Sequence, residues 1–108
     1  MNKAQLSWRA DRDLLERIQY YRNAGGDSVA QRFFDAAVRS LSSIERTPGR
    51  GSREIGQRCD IAGLRSSPLK GFPVRLYYVA SAERLLVLRV LADAQDVLTI
   101  LANDNGFE

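Results

Sequence analysis

The chain has no histidine, one cysteine, three prolines and only two lysines in 108 residues. Without histidine there is no Ser-His-Asp or Cys-His arrangement, no imidazole metal ligand and no imidazole general base. A single cysteine excludes an internal disulfide and an all-cysteine zinc site. Apolar runs are short, as at residues 85–88, against the ~20 residues that a membrane-spanning helix needs. Met1-Asn2-Lys3-Ala4-Gln5 leads directly into folded-looking sequence with no apolar leader core, so a cytoplasmic location is expected.

What is present is arginine. It supplies 14 of the 16 cations, and the net charge is +3. Arginine binds carboxylates and phosphates with two parallel hydrogen bonds and stays charged when buried. A small net excess says little about nucleic acid by itself. The length fits one domain over residues 1–108, large enough to bury one core.

Residues 4–8 alternate weakly, as a short strand does. Residues 9–24 carry Leu14, Leu15, Ile18 and Tyr21 at helical spacing. Gly25-Gly26 stops that helix, and Asp27-Ser28 can cap a second over residues 28–46. Its stripe is Ala30, Phe33, Phe34, Ala37, Val38, Leu41 and Ile44. A short connection makes the two helices an antiparallel αα-hairpin. Residues 49–63 hold few apolar anchors and read as a mobile loop. Strands are predicted at residues 64–69, 74–80 and 85–91, and a short closing helix at 93–101. Residues 103–108 look frayed. The last strand is apolar on both faces apart from Arg89, which suits a central, doubly covered strand.

The order β-α-α-β-β-β implies an α+β fold: an antiparallel sheet with the helical hairpin on one face. The first strand joins at an edge or beside the last strand. A symmetric hairpin puts Val74, Leu76 and Tyr78 with Leu86, Leu88 and Val90 toward the helices. It puts Arg75, Tyr77 and Val79 with Val87 and Arg89 on the other face, with Arg75 roughly opposite Arg89 and Arg65 on the next strand. Paired like charges need an acid between them. Asp93, Asp96, a partner's carboxylate or a phosphate can supply it. Trp8 is expected as a core anchor of the first strand. Tyr20, Tyr21, Phe33 and Phe34 are expected as core and interface, and Cys59 as an incidental thiol.

These residues resemble the ParE branch of the RelE/ParE toxin superfamily of bacterial type II toxin–antitoxin modules. Ser7-Trp8-Arg9-Ala10 with Asp13-Leu14, Ile18 and Tyr21 resembles the family's opening helix. Ala30-Gln31-Arg32-Phe33 with Leu41, Ile44, Pro48, Gly49 and Gly51 resembles its second helix and exit. Gly63-Leu64-Arg65-Ser66-Ser67-Pro68, then Val74-Arg75-Leu76-Tyr77-Tyr78-Val79, resembles the "GLR…YRVFY" region, and Val87-Leu88-Arg89-Val90-Leu91 the last strand. The family then usually reads His-Gly-Ala-Arg-Asp. Here the sequence is Ala92-Asp93-Ala94-Gln95-Asp96, with Gln95 in the arginine's place.

The resemblance implies a toxin that inhibits DNA gyrase through a protein contact, without turnover. It also implies neutralisation by an acidic, ParD-like antitoxin in a hetero-oligomer. No cofactor, metal, membrane contact or direct nucleic-acid binding is expected. The expected partner-facing residues are Arg65, Arg75, Tyr77, Arg89, Arg50, Arg53 and Gln95, with Arg58 in the same loop. Three readings of the arginines stay open: solvated side chains, an antitoxin surface, or an RNA-cleaving site. A RelE-like, ribosome-dependent mRNA endonuclease would use Arg65, Arg75 and Arg89 to stabilise charge and Tyr77 as acid. A detoxified antitoxin-binding module is a further alternative.

Overall fold

A computed structural model describes residues 2–104. The first strand, β1 (Ala4–Leu6), runs straight into a long helix, α1 (Trp8–Arg46). Ser7 is extended, and its Oγ accepts the Ala10 N–H at 3.0 Å, so the helix begins at Trp8. Trp8 therefore does not belong to the strand. With Ala10 facing the core, helical spacing turns Trp8 outward, where it is 62% exposed. The guanidinium groups of Arg9 and Arg12 stack over its ring at 4.7 and 5.5 Å. The expected core anchor is a surface residue.

Helix α1 breaks once, at Gly26, where φ is 86° and ψ is −178°. Only glycine adopts that region without large strain. Its two arms, residues 8–25 and 27–46, fold back on each other. Tyr21 and Phe33 face each other across the break with ring centroids 4.9 Å apart. At the far end the Ala4 N–H reaches Glu45 Oε2 at 2.7 Å. The helical hairpin is as expected, but it turns on one residue. Phe33 is fully buried, whereas Leu15, Tyr20, Phe34 and Val38 are exposed. No described helix is long and apolar enough to cross a membrane.

Strands β2 (Arg65–Pro68), β3 (Val74–Ala80) and β4 (Leu85–Ala92) form the expected antiparallel meander. The order is β1-β4-β3-β2, with β1 parallel to β4. The sheet is thus mixed rather than wholly antiparallel. A three-residue strand carries no pattern that fixes its direction.

The register between β3 and β4 shifts within the hairpin. Tyr77 pairs with Arg89 and Tyr78 with Val87, leaving Leu88 as an extra residue on β4. The turn pairs Ala80 with Leu85, one position off the symmetric hairpin, and such a slip exchanges the faces of the residues as far as the bulge. Val87 packs with Phe33, Ile44, Leu76, Tyr78 and Val90 beneath the helical hairpin. Leu86 and Leu88 lie on the other face with Leu64, Tyr77, Leu91 and Leu101. The symmetric pairing is corrected for those three positions. β4 is covered on both sides, as its composition implied.

The second cover comes from residues expected to be a loop. A 3-10 turn (Pro48–Arg50) leads to α2 (Glu54–Arg58), and Ile55, Cys59 and Ile61 pack against the second cluster. These anchors lie within a polar composition, which hides their helical spacing. The closing helix, α3 (Val97–Asn103), starts later than expected. Asp96 caps it by accepting the Thr99 N–H at 3.3 Å. Asp104 is buried rather than frayed. Residues 105–108 lie outside the described residues.

Candidate functional site

β1 is shorter than β4, so the distal half of β4 has an open edge toward α1. Side chains close it in place of a strand. Ser7 donates its N–H to Val87 O at 2.9 Å and its hydroxyl to Leu88 O at 2.8 Å. Asp13 Oδ2 accepts the Val90 N–H at 3.0 Å. Gln95 Oε1 accepts the Ala92 N–H at 2.8 Å and also faces Arg17 Nη2 at 3.3 Å.

Arg89 lies at this edge. Its Nε and Nη2 donate to Asp13 Oδ2 and Oδ1 at 2.7 and 2.9 Å, and its Nη1 donates to Asp104 Oδ2 at 2.8 Å. The three side chains are 15%, 11% and 9% exposed. The hydrogen bond to Asp13 pushes the Arg89 pKa upward, and Asp104 reinforces it against desolvation. Arg89 is therefore a fixed brace between α1, β4 and the residue after α3. The acid expected beside it is present, but it is Asp13 with Asp104, not Asp93 or Asp96. Asp13 is 76 residues away in sequence, and no local spacing announces the pair.

The register, offset once at the turn and again at the bulge, also separates the other arginines. Arg75 pairs with Leu91, and Tyr77, not Arg75, lies opposite Arg89. Arg65 pairs with Tyr78 and thus shares the helix-side face. Its Nη1 donates to Gly51 O at 2.9 Å. Arg75 shares the opposite face with Tyr77 and donates through Nη1 to Ser66 Oγ at 3.2 Å. Of the four candidate nuclease residues, only Arg75 and Tyr77 line a common cavity. It measures about 390 Å³ and is shared with Ser52, Glu54, Arg58, Asp93 and Gln95. Burial pushes the Tyr77 phenol above its usual value. The negative charge of Asp93 adds to this and Arg75 opposes it. Such a phenol stays protonated at neutral pH and can donate a proton but not take one.

Arg50, Arg53 and Arg58 do not form one patch. Arg50 ends the 3-10 turn and borders a cavity beside the second arm of α1. Arg53 precedes α2 and lies by Gly56, Gln57 and Asp60. Arg58 joins Arg75 and Tyr77. Cys59 is half-buried, and burial pushes its thiol pKa up, which suits an unreactive side chain. Among the described residues no cluster of three or more potential metal ligands occurs.

A family model described as ParE toxin of type II toxin-antitoxin system, parDE, matches residues 4–97. Among solved structures, the chain resembles one described as a chromosomal ParDE TA system from P. aeruginosa. The TM-score is 0.72 at 17% identity, covering 85% of this chain and 96% of that chain. At that identity the likeness concerns the fold. A comparison with curated proteins gives no match.

Proposed function

The chain belongs to the ParE family of type II toxins, and from that premise we propose that it inhibits DNA gyrase through a protein contact and is neutralised by an acidic, ParD-like antitoxin. The observation that carries this reading is the dispersal of the nuclease set. Arg89 is held by Asp13 and Asp104, and Arg65 is held by Gly51. Two residues remain where RNA cleavage would need a base, a charge stabiliser and an acid. Arg50, Arg53, Arg58 and Arg75 are outside any ion pair among the described residues and are free to meet an antitoxin's carboxylates. An acidic segment that folds on binding would use such anchors, giving a hetero-oligomer.

One feature favours a second reading. Glu54 and Asp93 border the cavity of Arg75 and Tyr77. A carboxylate there can take the proton of an RNA 2′-hydroxyl while Tyr77 protonates the departing 5′-oxygen. Inducible expression without antitoxin separates the readings. Gyrase inhibition gives a DNA-damage response while translation continues. Immediate translation arrest, abolished by Tyr77→Phe, would sink the gyrase reading in favour of RNA cleavage. Absence of both responses would identify a detoxified binding module. Gln95, turned inward to Ala92 and Arg17, gives that outcome a structural basis.

A further inference from the structure

A second cavity, of about 540 Å³, lies between the second arm of α1, the 3-10 turn and β2. Its charged lining is Arg39, Arg50, Lys70 and Arg75, with no carboxylate. None of these four is in an ion pair among the described residues. Serine and threonine hydroxyls share the wall, Ser43 and Ser67 among them, and Ile44 and Pro68 give it an apolar part. Four cations at one concavity repel each other unless an anion sits among them.

The walls are fixed before any ligand arrives. Tyr78 Oη donates to Pro48 O at 2.7 Å, and Arg65 Nη1 donates to Gly51 O at 2.9 Å. Ser52 and Ser66 exchange two backbone hydrogen bonds of 2.9 and 2.8 Å. Buried Ser66 then accepts from Arg75 Nη1, which holds that guanidinium in place. A Cβ at Gly51 would collide with the Tyr78 hydroxyl, so the turn sits against the sheet only because residue 51 has no side chain. The volume falls in the range of small-molecule sites, roughly 300–1,000 Å³.

We propose that this cavity binds the phosphate of a nucleotide. Phosphate offers more acceptor oxygens than a carboxylate does and matches a lining of several cations and hydroxyls. The apolar wall gives the base a surface to cover. The small net charge says little about nucleic acid because it averages over the whole surface, whereas these four cations are local. The inference does not rest on the gyrase reading.

The test is titration of the full chain with adenosine monophosphate, adenosine and inorganic phosphate, read by calorimetry and by backbone amide shifts. The monophosphate is expected to bind saturably, to shift the amides of Ser43 and Ser67, and to be displaced by inorganic phosphate. Adenosine is expected not to bind. Arg39 and Lys70 are exposed, so Arg39→Gln and Lys70→Gln should fold normally and each weaken binding about tenfold. Arg84→Gln, on the turn before β4, should change nothing. Short DNA strands with and without a 5′-phosphate identify the source. Tighter binding of the phosphorylated strand than of the mononucleotide points to a nucleic-acid end. Weaker binding points to a free nucleotide, and both results support the proposal. It is overturned if adenosine binds equally well. It is also overturned if the Gln variants bind unchanged, or if a glutamate peptide of equal charge binds with the same dependence on Arg39 and Lys70.

Discussion

Asp13 answers three donors at once: two from Arg89 and the Val90 N–H. Arg89 in turn answers two carboxylates, so each side chain is buried only because the others are there. Removing one member of a buried ion pair leaves an uncompensated charge and costs about 3–5 kcal/mol. Arg89→Met should lose an amount near the lower end, since the group retains some exposure, and Asp13→Asn should lose somewhat less. Urea denaturation at neutral pH measures both. If Arg89→Met unfolds at the wild-type midpoint, the brace is ornamental. A milder effect belongs to Tyr77. Burial raises its folded pKa above the ordinary 10.0, so the unfolded chain loses this proton first. The contribution is complete below pH ~10 and is lost as pH rises through the higher folded value. Stability should fall above that pH, and Tyr77→Phe should flatten part of the fall. Tyr78 and Tyr21 are raised in the same direction and supply the rest.

At the scale of elements, the break in α1 decides how the helices meet the sheet. Gly26 adopts a glycine-only conformation, and a methyl group on its Cα would meet nothing within 4 Å, so the cost of substitution is purely conformational. Gly26→Ala should cost about 1–3 kcal/mol by thermal or urea unfolding. A near-neutral result would mean that the hairpin turns equally well another way. The adjacent pair Phe33 and Phe34 shows how sharply the helix sorts its faces. Phe33 is fully buried and Phe34 is 43% exposed. Phe33→Ala should cost about 3–5 kcal/mol. Phe34→Ser should stay within about 0.5 kcal/mol, as surface changes do. From sequence the two are indistinguishable, because both fall within the same apolar stripe. The hairpin itself was legible there, from Gly25-Gly26 and the flanking periodicity. The helix α2 was not, because four of its five residues are polar or glycine.

In the whole molecule, β3 and β4 contribute to both apolar clusters, and Arg89 links α1 to the end of α3 across them. The two faces should therefore unfold together. Far-UV circular dichroism and tyrosine fluorescence should follow one transition, and Phe33→Ala and Leu101→Ala should lower the same midpoint. Separate transitions would show that the second face folds independently. With one cysteine, reductant should leave the midpoint unchanged. The sequence alone determined the order of the strands around the helical hairpin, the doubly covered last strand, the family resemblance and the absence of imidazole chemistry. All of these rest on local periodicity, composition or motif order. Tertiary structure decided which arginines are available. The turn pairs Ala80 with Leu85, one position off the symmetric register, which exchanged Val87 with its neighbours, and the extra residue in β4 added a second position, so Arg75 lies opposite Leu91 instead of Arg89. Asp13, far away in the chain, then took Arg89 out of reach. A bulge and a long-range ion pair are settled by how the sheet packs, and no spacing in the chain encodes either one.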